Sequence, residues 1–182
     1  MNYEKKEIQI KNGAMAILRS PTEEDAASIL EYMRTTAGET PFLIRYPEEC
    51  TLTLEQEQGY LRNILDSENN VMILCEVGDE LAGNCQISRY TRLKTRHRAS
   101  VAIALVKKYW NKGIGTAMFQ EMIRIAKEQG IEQLELEVIE GNKRAMALYE
   151  KMGFRVVSEK PNAIKLKDGT LLSELLMVKD LT

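Results

Sequence analysis

Two short stretches combine residue types and spacings that could do chemistry. The first, Asn111-Lys112-Gly113-Ile114-Gly115-Thr116, lies between an apolar run from Ser100 to Val106 and a helical repeat of Met118, Met122, Ile125 and Ala126. Glycines let the main chain approach a ligand closely, and the first N–H groups of a helix lack internal partners and lie at the positive end of its dipole. Such a turn suits a phosphate or pyrophosphate. Taken alone, it fits equally a tight strand-to-helix turn that needs glycine for its own geometry. Two other phosphate motifs are missing: no G-x-x-x-x-G-K-[ST] run occurs, and Met118 and Phe119 stand where G-x-G-x-x-G needs a small residue. Nucleoside triphosphates and NAD are not the expected ligands.

The second stretch runs from Asn142 to Phe154. Ala145, Leu148, Tyr149 and Met152 fall on one face of a short helix, and Gly153 closes it as a C-terminal cap. By itself Tyr149 reads as a core residue on that stripe, although a phenol is also a usable proton donor, with a pKa of about 10.

The elements that must position these stretches alternate in type. Ala14 to Arg19 reads as a strand, and Ser20-Pro21-Thr22-Glu23-Glu24-Asp25 marks a helix start, followed by the stripe Ala26, Ile29, Leu30 and Met33 up to Gly38. Thr53-Leu54-Glu55-Gln56 is a capping box for a second helix, whose buried stripe is expected at Leu54, Leu61, Ile64 and Leu65. Val71 to Val77 and Leu81 to Tyr90 form a hairpin around Gly78-Asp79-Glu80. Ser100 to Val106 is apolar enough for a central strand covered on both faces, and Leu134 to Val138 is a short strand. The tail from Phe154 to Leu181 reads as two strands around Lys167-Asp168-Gly169, with Pro161 bending the first. The expected fold is α/β of the α+β type: one mixed, mostly antiparallel sheet of about seven strands flanked by about four helices.

The chain's 182 residues, 44% hydrophobic and 29% charged, predict one globular domain spanning residues 1–182. A net charge of -2 supplies no global field toward nucleic acid or anionic membranes. Met1 to Lys11 lacks an apolar h-region, and no stretch approaches the roughly 18 apolar residues of a spanning helix, which predicts a cytoplasmic protein with no membrane partner. Cys50, Cys75 and Cys85 lack metal-ligand spacing and read as small buried hydrophobes, and His97 is the lone histidine, so no metal is expected. The basic run Arg89 to Arg98 lies ~26 Å of extended strand from the glycine turn and reads as a solvated loop, with RNA binding as its alternative.

Taken together, the glycine turn and Asn142 to Phe154, which matches N-x-x-A-x-x-L-Y-x-x-x-G-F, resemble the GNAT superfamily of acyl-CoA-dependent N-acyltransferases, in its bacterial form. The resemblance implies a sheet whose fourth and fifth strands splay, with the pantetheine arm of acyl-CoA in the gap. It implies that Leu105 and Val106 hold the pantetheine amides through the main chain, one N–H serving as an oxyanion donor, and that Asn111, Lys112, Gly113, Ile114, Gly115 and Thr116 hold the pyrophosphate. Asn142 matches the asparagine that bonds near the arm, and Tyr149 the tyrosine beside the sulfur, the expected general acid.

Two positions depart from the family pattern: Trp110 stands where Arg or Gln is frequent, and Ser100 where many relatives carry a glutamate base. Glu137 is a candidate for that base, equally readable as an ordinary strand glutamate, and stays outside the catalytic set. The loop from Gly38 to Thr53, bordering the acceptor site in the family, carries Glu39, Glu48 and Glu49 and hints at a cationic amine. The expected function is an N-acetyltransferase that moves an acetyl group from acetyl-CoA to a primary amine, of a small molecule, by direct attack in a ternary complex. A protein N-terminal or lysine acetyltransferase and a non-catalytic acyl-CoA-binding module are the alternatives, and a homodimer is compatible with each.

Overall fold

A computed structural model of the chain describes residues 3–182. Among these, eight strands form one sheet: β1 (Lys6–Gln9), β2 (Met15–Arg19), β3 (Asn70–Val77), β4 (Glu80–Arg89), β5 (Arg98–Leu105), β6 (Gln133–Ile139), β7 (Arg155–Lys165) and β8 (Leu171–Asp180). Their order across the sheet is β1-β2-β3-β4-β5-β6-β8-β7, with β5–β6 the parallel pair and the rest antiparallel. Four helices accompany it: α1 (Ala26–Glu39), α2 (Leu54–Asp66), α3 (Ile114–Glu128) and α4 (Lys143–Lys151). The strand beyond the expected seven is β1, four mostly exposed residues, too short and polar for periodicity to register.

Alternation along the central strands sends side chains to two cores. Met72 and Leu74 of β3 pack with Ala26 and Ile29 of α1 and Leu61 and Ile64 of α2, while Val71, Ile73 and Cys75 face the layer containing Met118, Phe119 and Met122 of α3. The capping box of α2 forms: Thr53 Oγ1 accepts from the Gln56 N–H at 3.2 Å, and Gln56 Oε1 accepts from the Thr53 N–H at 2.9 Å. The buried stripe of α2 differs from the expected one. Leu54 is 50% exposed, and Glu57, one turn before Leu61, is only 2% exposed.

The sheet parts between β5 and β6. These strands pair at three positions, Arg98 with Gln133, Ala99 with Leu134 and Ser100 with Glu135, after which β6 stays on β8 as far as Ile139 while β5 remains on β4 as far as Leu105. The splayed pair expected as the fourth and fifth strands is therefore β5 and β6. The apolar end of β5 is not covered on both faces as its composition predicts: Ala102 is exposed and Ile103 to Leu105 are half-buried, because they border this gap.

Candidate active site

The gap opens into a cleft of about 1310 Å³ whose lining includes Leu105, Asn111, Gly113, Gly115, Asn142 and Tyr149. At one end the chain turns into α3 through two left-handed residues, Asn111 at φ +62° and Gly113 at φ +91°. Asparagine tolerates that conformation and glycine meets no steric cost in it. Gly113 is the N-cap and offers no side chain, so the N–H groups of Ile114, Gly115 and Thr116 start the helix uncapped. Gly115 is in close packing with α4: a Cβ there would lie 2.9 Å from Leu148 Cδ2, so that side chain would have to shift. Lys11, Arg144 and Lys151 also line this end, which adds local positive charge to the helix dipole that the net charge of -2 conceals.

Asn142 caps α4, its Oδ1 accepting from the Ala145 N–H at 3.3 Å, and at the other end the Phe154 N–H bonds the Tyr149 carbonyl at 2.9 Å, with Gly153 left-handed between them. These caps fix the helix that carries Tyr149. Its ring packs edge-on against Phe119, centroids 5.4 Å apart, and near Phe154. Tyr149 is 8% exposed, yet its hydroxyl has no hydrogen-bond partner among the described residues and borders the cleft. Burial pushes its pKa up to about 12, so it stays a donor across the physiological range.

Several expected site residues are placed otherwise. The Val106 N–H bonds the Ala82 carbonyl at 2.9 Å and its carbonyl accepts from Tyr109, so neither group faces the gap. Hydrogen-bonding direction alternates along an antiparallel strand, so the pairing of Val106 and Ala104 toward β4 turns the main chain of Ile103 and Leu105 toward the gap instead. The Leu105 carbonyl is held there by Trp110 Nε1 at 2.8 Å, and the Arg144 guanidinium lies 3.2 Å from the Trp110 ring centroid. The departure at Trp110 thus braces the strand end. Ile114 is buried in the core and has only its main chain at the turn, and the Lys112 carbonyl is taken by the Lys11 N–H at 3.0 Å. Glu137 is exposed in the cleft without a hydrogen bond or ion pair among the described residues, whereas Glu135 holds Tyr90 and Arg98.

The acidic loop is a correction. Glu39 accepts from the Lys107 N–H at 2.6 Å, Glu49 from the Tyr46 N–H at 2.7 Å, and Glu48 is paired with Lys167, so all three carboxylates brace the loop. Beside this loop the cleft adjoins a chamber of about 440 Å³ between α1, α2 and strands β3 to β5. Thr36, Leu43, Ile44, Ala102, Ile103 and Ala104 line both spaces. Glu57 faces the chamber with no hydrogen bond or ion pair among the described residues, and burial raises its carboxyl against the opposing influence of Arg45. Sequence reading missed Glu57. The signal was its place at i-4 from Leu61 and i-7 from Ile64, a charge on a buried stripe.

Among the described residues no group of three or more His, Cys, Asp or Glu is arranged to hold a metal ion, and no helix is long and apolar enough to cross a membrane. The three cysteines are free and buried. In the basic run, Arg98 is committed to Glu135 and lies over the Tyr90 ring.

A mixed sheet parted between two parallel strands, with an uncapped helix start at the gap, defines the class of fold seen in GNAT acetyltransferase structures. A GNAT-family acetyltransferase from Streptococcus pneumoniae superposes with a TM-score of 0.85 at 28% identity, over 91% of this chain and 99% of that one. YncA of Salmonella typhimurium, described as a putative acetyltransferase with its cofactor acetyl-CoA, shares the fold at 17% identity and a TM-score of 0.76, over 92% and 94% of the two chains. The sequence profile of the Acetyltransferase (GNAT) family matches residues 33–154, and the chain belongs to that family. Curated relatives include bovine thialysine N-epsilon-acetyltransferase, 33% identical over 38% of this chain and 41% of its own length. The ribosomal protein bS18-alanine N-acetyltransferase of Escherichia coli is 34% identical over 37% and 45%. The chain spans between 35% and 53% of the length of the first curated relatives it matches.

Proposed function

We propose that the chain is an N-acetyltransferase that moves an acetyl group from acetyl-CoA to a primary amine of a small molecule by direct attack in a ternary complex. The observation that carries this reading is the Tyr149 hydroxyl, unpartnered among the described residues and bordering the cleft of a parted sheet whose gap ends on the uncapped turn of α3. The residues fit such a cosubstrate. The N–H groups of Ile114, Gly115 and Thr116, flanked by Lys11, Arg144 and Lys151, would hold the pyrophosphate, and the main chain of Ile103 and Leu105 would hold the amides of the arm. Bound acetyl-CoA supplies an activated acyl carbon and a thiolate leaving group.

Tyr149 donates its O–H to that sulfur as charge develops. Full proton transfer from a phenol near 12 to a thiolate of ordinary pKa near 8.5 would run uphill by ~5 kcal/mol, so Tyr149 acts first as a hydrogen-bond donor and gives up the proton as the thiol forms. A small acceptor is favoured because the adjoining chamber, about 440 Å³, has the size of a small-molecule pocket. The three buried, unpaired cysteines are in keeping with the reducing cytoplasm. Release of free thiol from acetyl-CoA, followed across polyamines, amino acids, aminoglycosides and short peptides, tests the assignment. Turnover on an amine is the expected result. Acetyl-CoA binding without turnover on any of them would favour a non-catalytic acyl-CoA-binding module, and a chain that binds no CoA would defeat both readings.

A further inference from the structure

Glu57 is the one carboxylate in the α1–α2 region for which the fold offers no explanation. It is 2% exposed, it occupies a position of the buried stripe of α2 where Leu61 and Ile64 are apolar, and it has no hydrogen bond or ion pair among the described residues. A buried carboxylate without a hydrogen bond or ion pair costs several kcal/mol in general, and its retention in a fold calls for a role. The chamber it faces is walled in part by Ile29, Met33, Leu52 and Met72 and shares Ala102, Ile103 and Ala104 with the lining of the main cleft. A second polar group without a hydrogen bond among the described residues, the Tyr149 hydroxyl, borders that same cleft on a side chain that is otherwise more than nine-tenths buried. The two lie on opposite flanks of the parted sheet, one on α2 and one on α4, and between them runs the free end of β5.

We propose that Glu57 is the acceptor-binding carboxylate: it receives the ammonium group of a small primary amine with a largely apolar body and takes the proton that must leave before the nitrogen can attack. This rests on the acetyltransferase reading and supplies the base that Ser100 lacks. The balance closes on named groups. The ammonium proton passes to Glu57, the freed lone pair forms the C–N bond to the acetyl carbon, and the C–S bond breaks with its electron pair on sulfur. Tyr149 protonates the sulfur, and the nitrogen's second proton, lost as the amide forms, restores the Tyr149 hydroxyl through solvent. The products are the amide, the thiol and one proton, which Glu57 returns to solvent.

The groups facing Glu57 set its titration. Arg45 from the loop favours the carboxylate, Tyr60 on its own helix donates instead to Gln86 Oε1 at 3.0 Å, and Tyr32 of α1 donates to the Ala104 carbonyl at 2.8 Å with Asn84 Oδ1 3.0 Å from the same hydroxyl. Desolvation dominates and holds the carboxyl above its ordinary range, closer to neutrality and so a stronger base than a surface glutamate. The stability sign follows. A carboxyl raised in the fold stabilises it fully below about pH 4.3, the unfolded value, and that contribution is lost as pH rises through the folded value. At neutral pH the ionised group works against folding, so Glu57→Gln should keep or raise the Tm.

The test compares wild type and Glu57→Gln with acetyl-CoA and the probes n-pentylamine and 2-phenylethylamine, with 1-pentanol and 2-phenylethanol as uncharged controls. We expect kcat/KM for the amines to fall about 100-fold and the acidic limb of its pH profile to vanish, while acetyl-CoA affinity stays within about twofold. Retention of amine kcat/KM within about threefold overturns the proposal and leaves the acetyltransferase reading standing, whereas loss of acetyl-CoA binding in the wild type defeats that reading itself. If neither amine turns over, calorimetric binding of n-pentylamine to the CoA complex decides: binding that Glu57→Gln abolishes supports the assignment, and equal or absent binding overturns it. If the variant fails to fold, the wild-type profile decides, an acidic limb at or below the ordinary carboxylate range being the contrary result.

Discussion

At the α3–α4 end of the cleft the site is drawn from two contiguous stretches, Asn111 to Thr116 and Asn142 to Phe154, and much of what they present is main chain: the uncapped helix start and the N–H groups of the parted strand. At the α1–α2 end the walls come from α1, α2, the loop after α1 and strands β3 to β5, and what they present is side chains, Glu57 among them. The first end is suited to a ligand part that never changes, since backbone N–H groups cannot be substituted away. The second end is suited to one that varies, because what it presents is side chains from elements other than the glycine turn. One fold can therefore keep its acyl donor and change its acceptor.

The largest expected effect tests whether the two ends contribute separately. Tyr149→Phe should lower kcat by about 100-fold or more, with acetyl-CoA affinity within about twofold, because the ring still packs on Phe119 and Phe154 and only the unpartnered hydroxyl is removed. The Tm should not fall, since no hydrogen bond to a described residue is lost. Wild-type turnover in this variant would mean that the thiolate leaves without Tyr149, and the division between donor and acceptor ends would have to be redrawn.

That division also decides what the sequence made legible. The turn at Gly113, the glycine cap at Gly153 and the helical face that carries Tyr149 could be read because they are local features whose spacing survives in one dimension. The succession of strands along the chain was readable for the same reason, except β1, whose short and mostly polar run is a strand only because β2 lies alongside. Val106 was misplaced by one residue, which in a strand reverses the direction of its hydrogen bonds. Glu57 was missed because Leu54, Leu61, Ile64 and Leu65 offered a plausible apolar stripe. The helix instead rotates Leu54 outward and Glu57 inward, a choice set by the chamber between α1 and β3 to β5 rather than by α2 itself. The loop carboxylates failed for a similar reason: whether Glu39, Glu48 and Glu49 face a ligand depends on Lys107, Tyr46 and Lys167, two of them distant in the chain.

Two changes at the donor end should weaken acetyl-CoA binding while leaving the amine KM alone. Gly113→Val places a β-branched residue at φ +91°, a strain of about 1–3 kcal/mol, and if the turn relaxes to relieve it the helix N–H groups lose their aim. An affinity loss of about tenfold is expected by calorimetry, and an unchanged value would show that the turn is purely structural. Trp110→Phe should cost less, about fivefold, because it removes one hydrogen bond of about 1 kcal/mol to the Leu105 carbonyl while keeping a ring beneath Arg144.

The smallest effect lies at the acceptor end, where the loop after α1 is tied to the β7–β8 turn. The Tyr46 hydroxyl accepts from the Lys167 N–H at 3.0 Å, the Lys167 ammonium lies 4.2 Å from the Tyr46 ring centroid, and it pairs with Glu48. The pair with Lys167 holds the Glu48 carboxyl below its usual range, so its contribution is present above the unfolded value near 4.3 and lost as pH falls through the lower folded one. The groups are exposed and screened by solvent and salt, so Lys167→Met should change global stability little. Yet Phe42 and Ile44 sit in the same loop, Phe42 packing within 3.5–3.7 Å of where a Gly141 Cβ would be and Ile44 bordering both spaces, so loosening the tie should raise the amine KM by about twofold and leave acetyl-CoA affinity alone. A larger shift in acetyl-CoA affinity than in amine KM would show that the two ends are mechanically coupled through the loop, and that an acceptor wall cannot be altered without cost to the donor side.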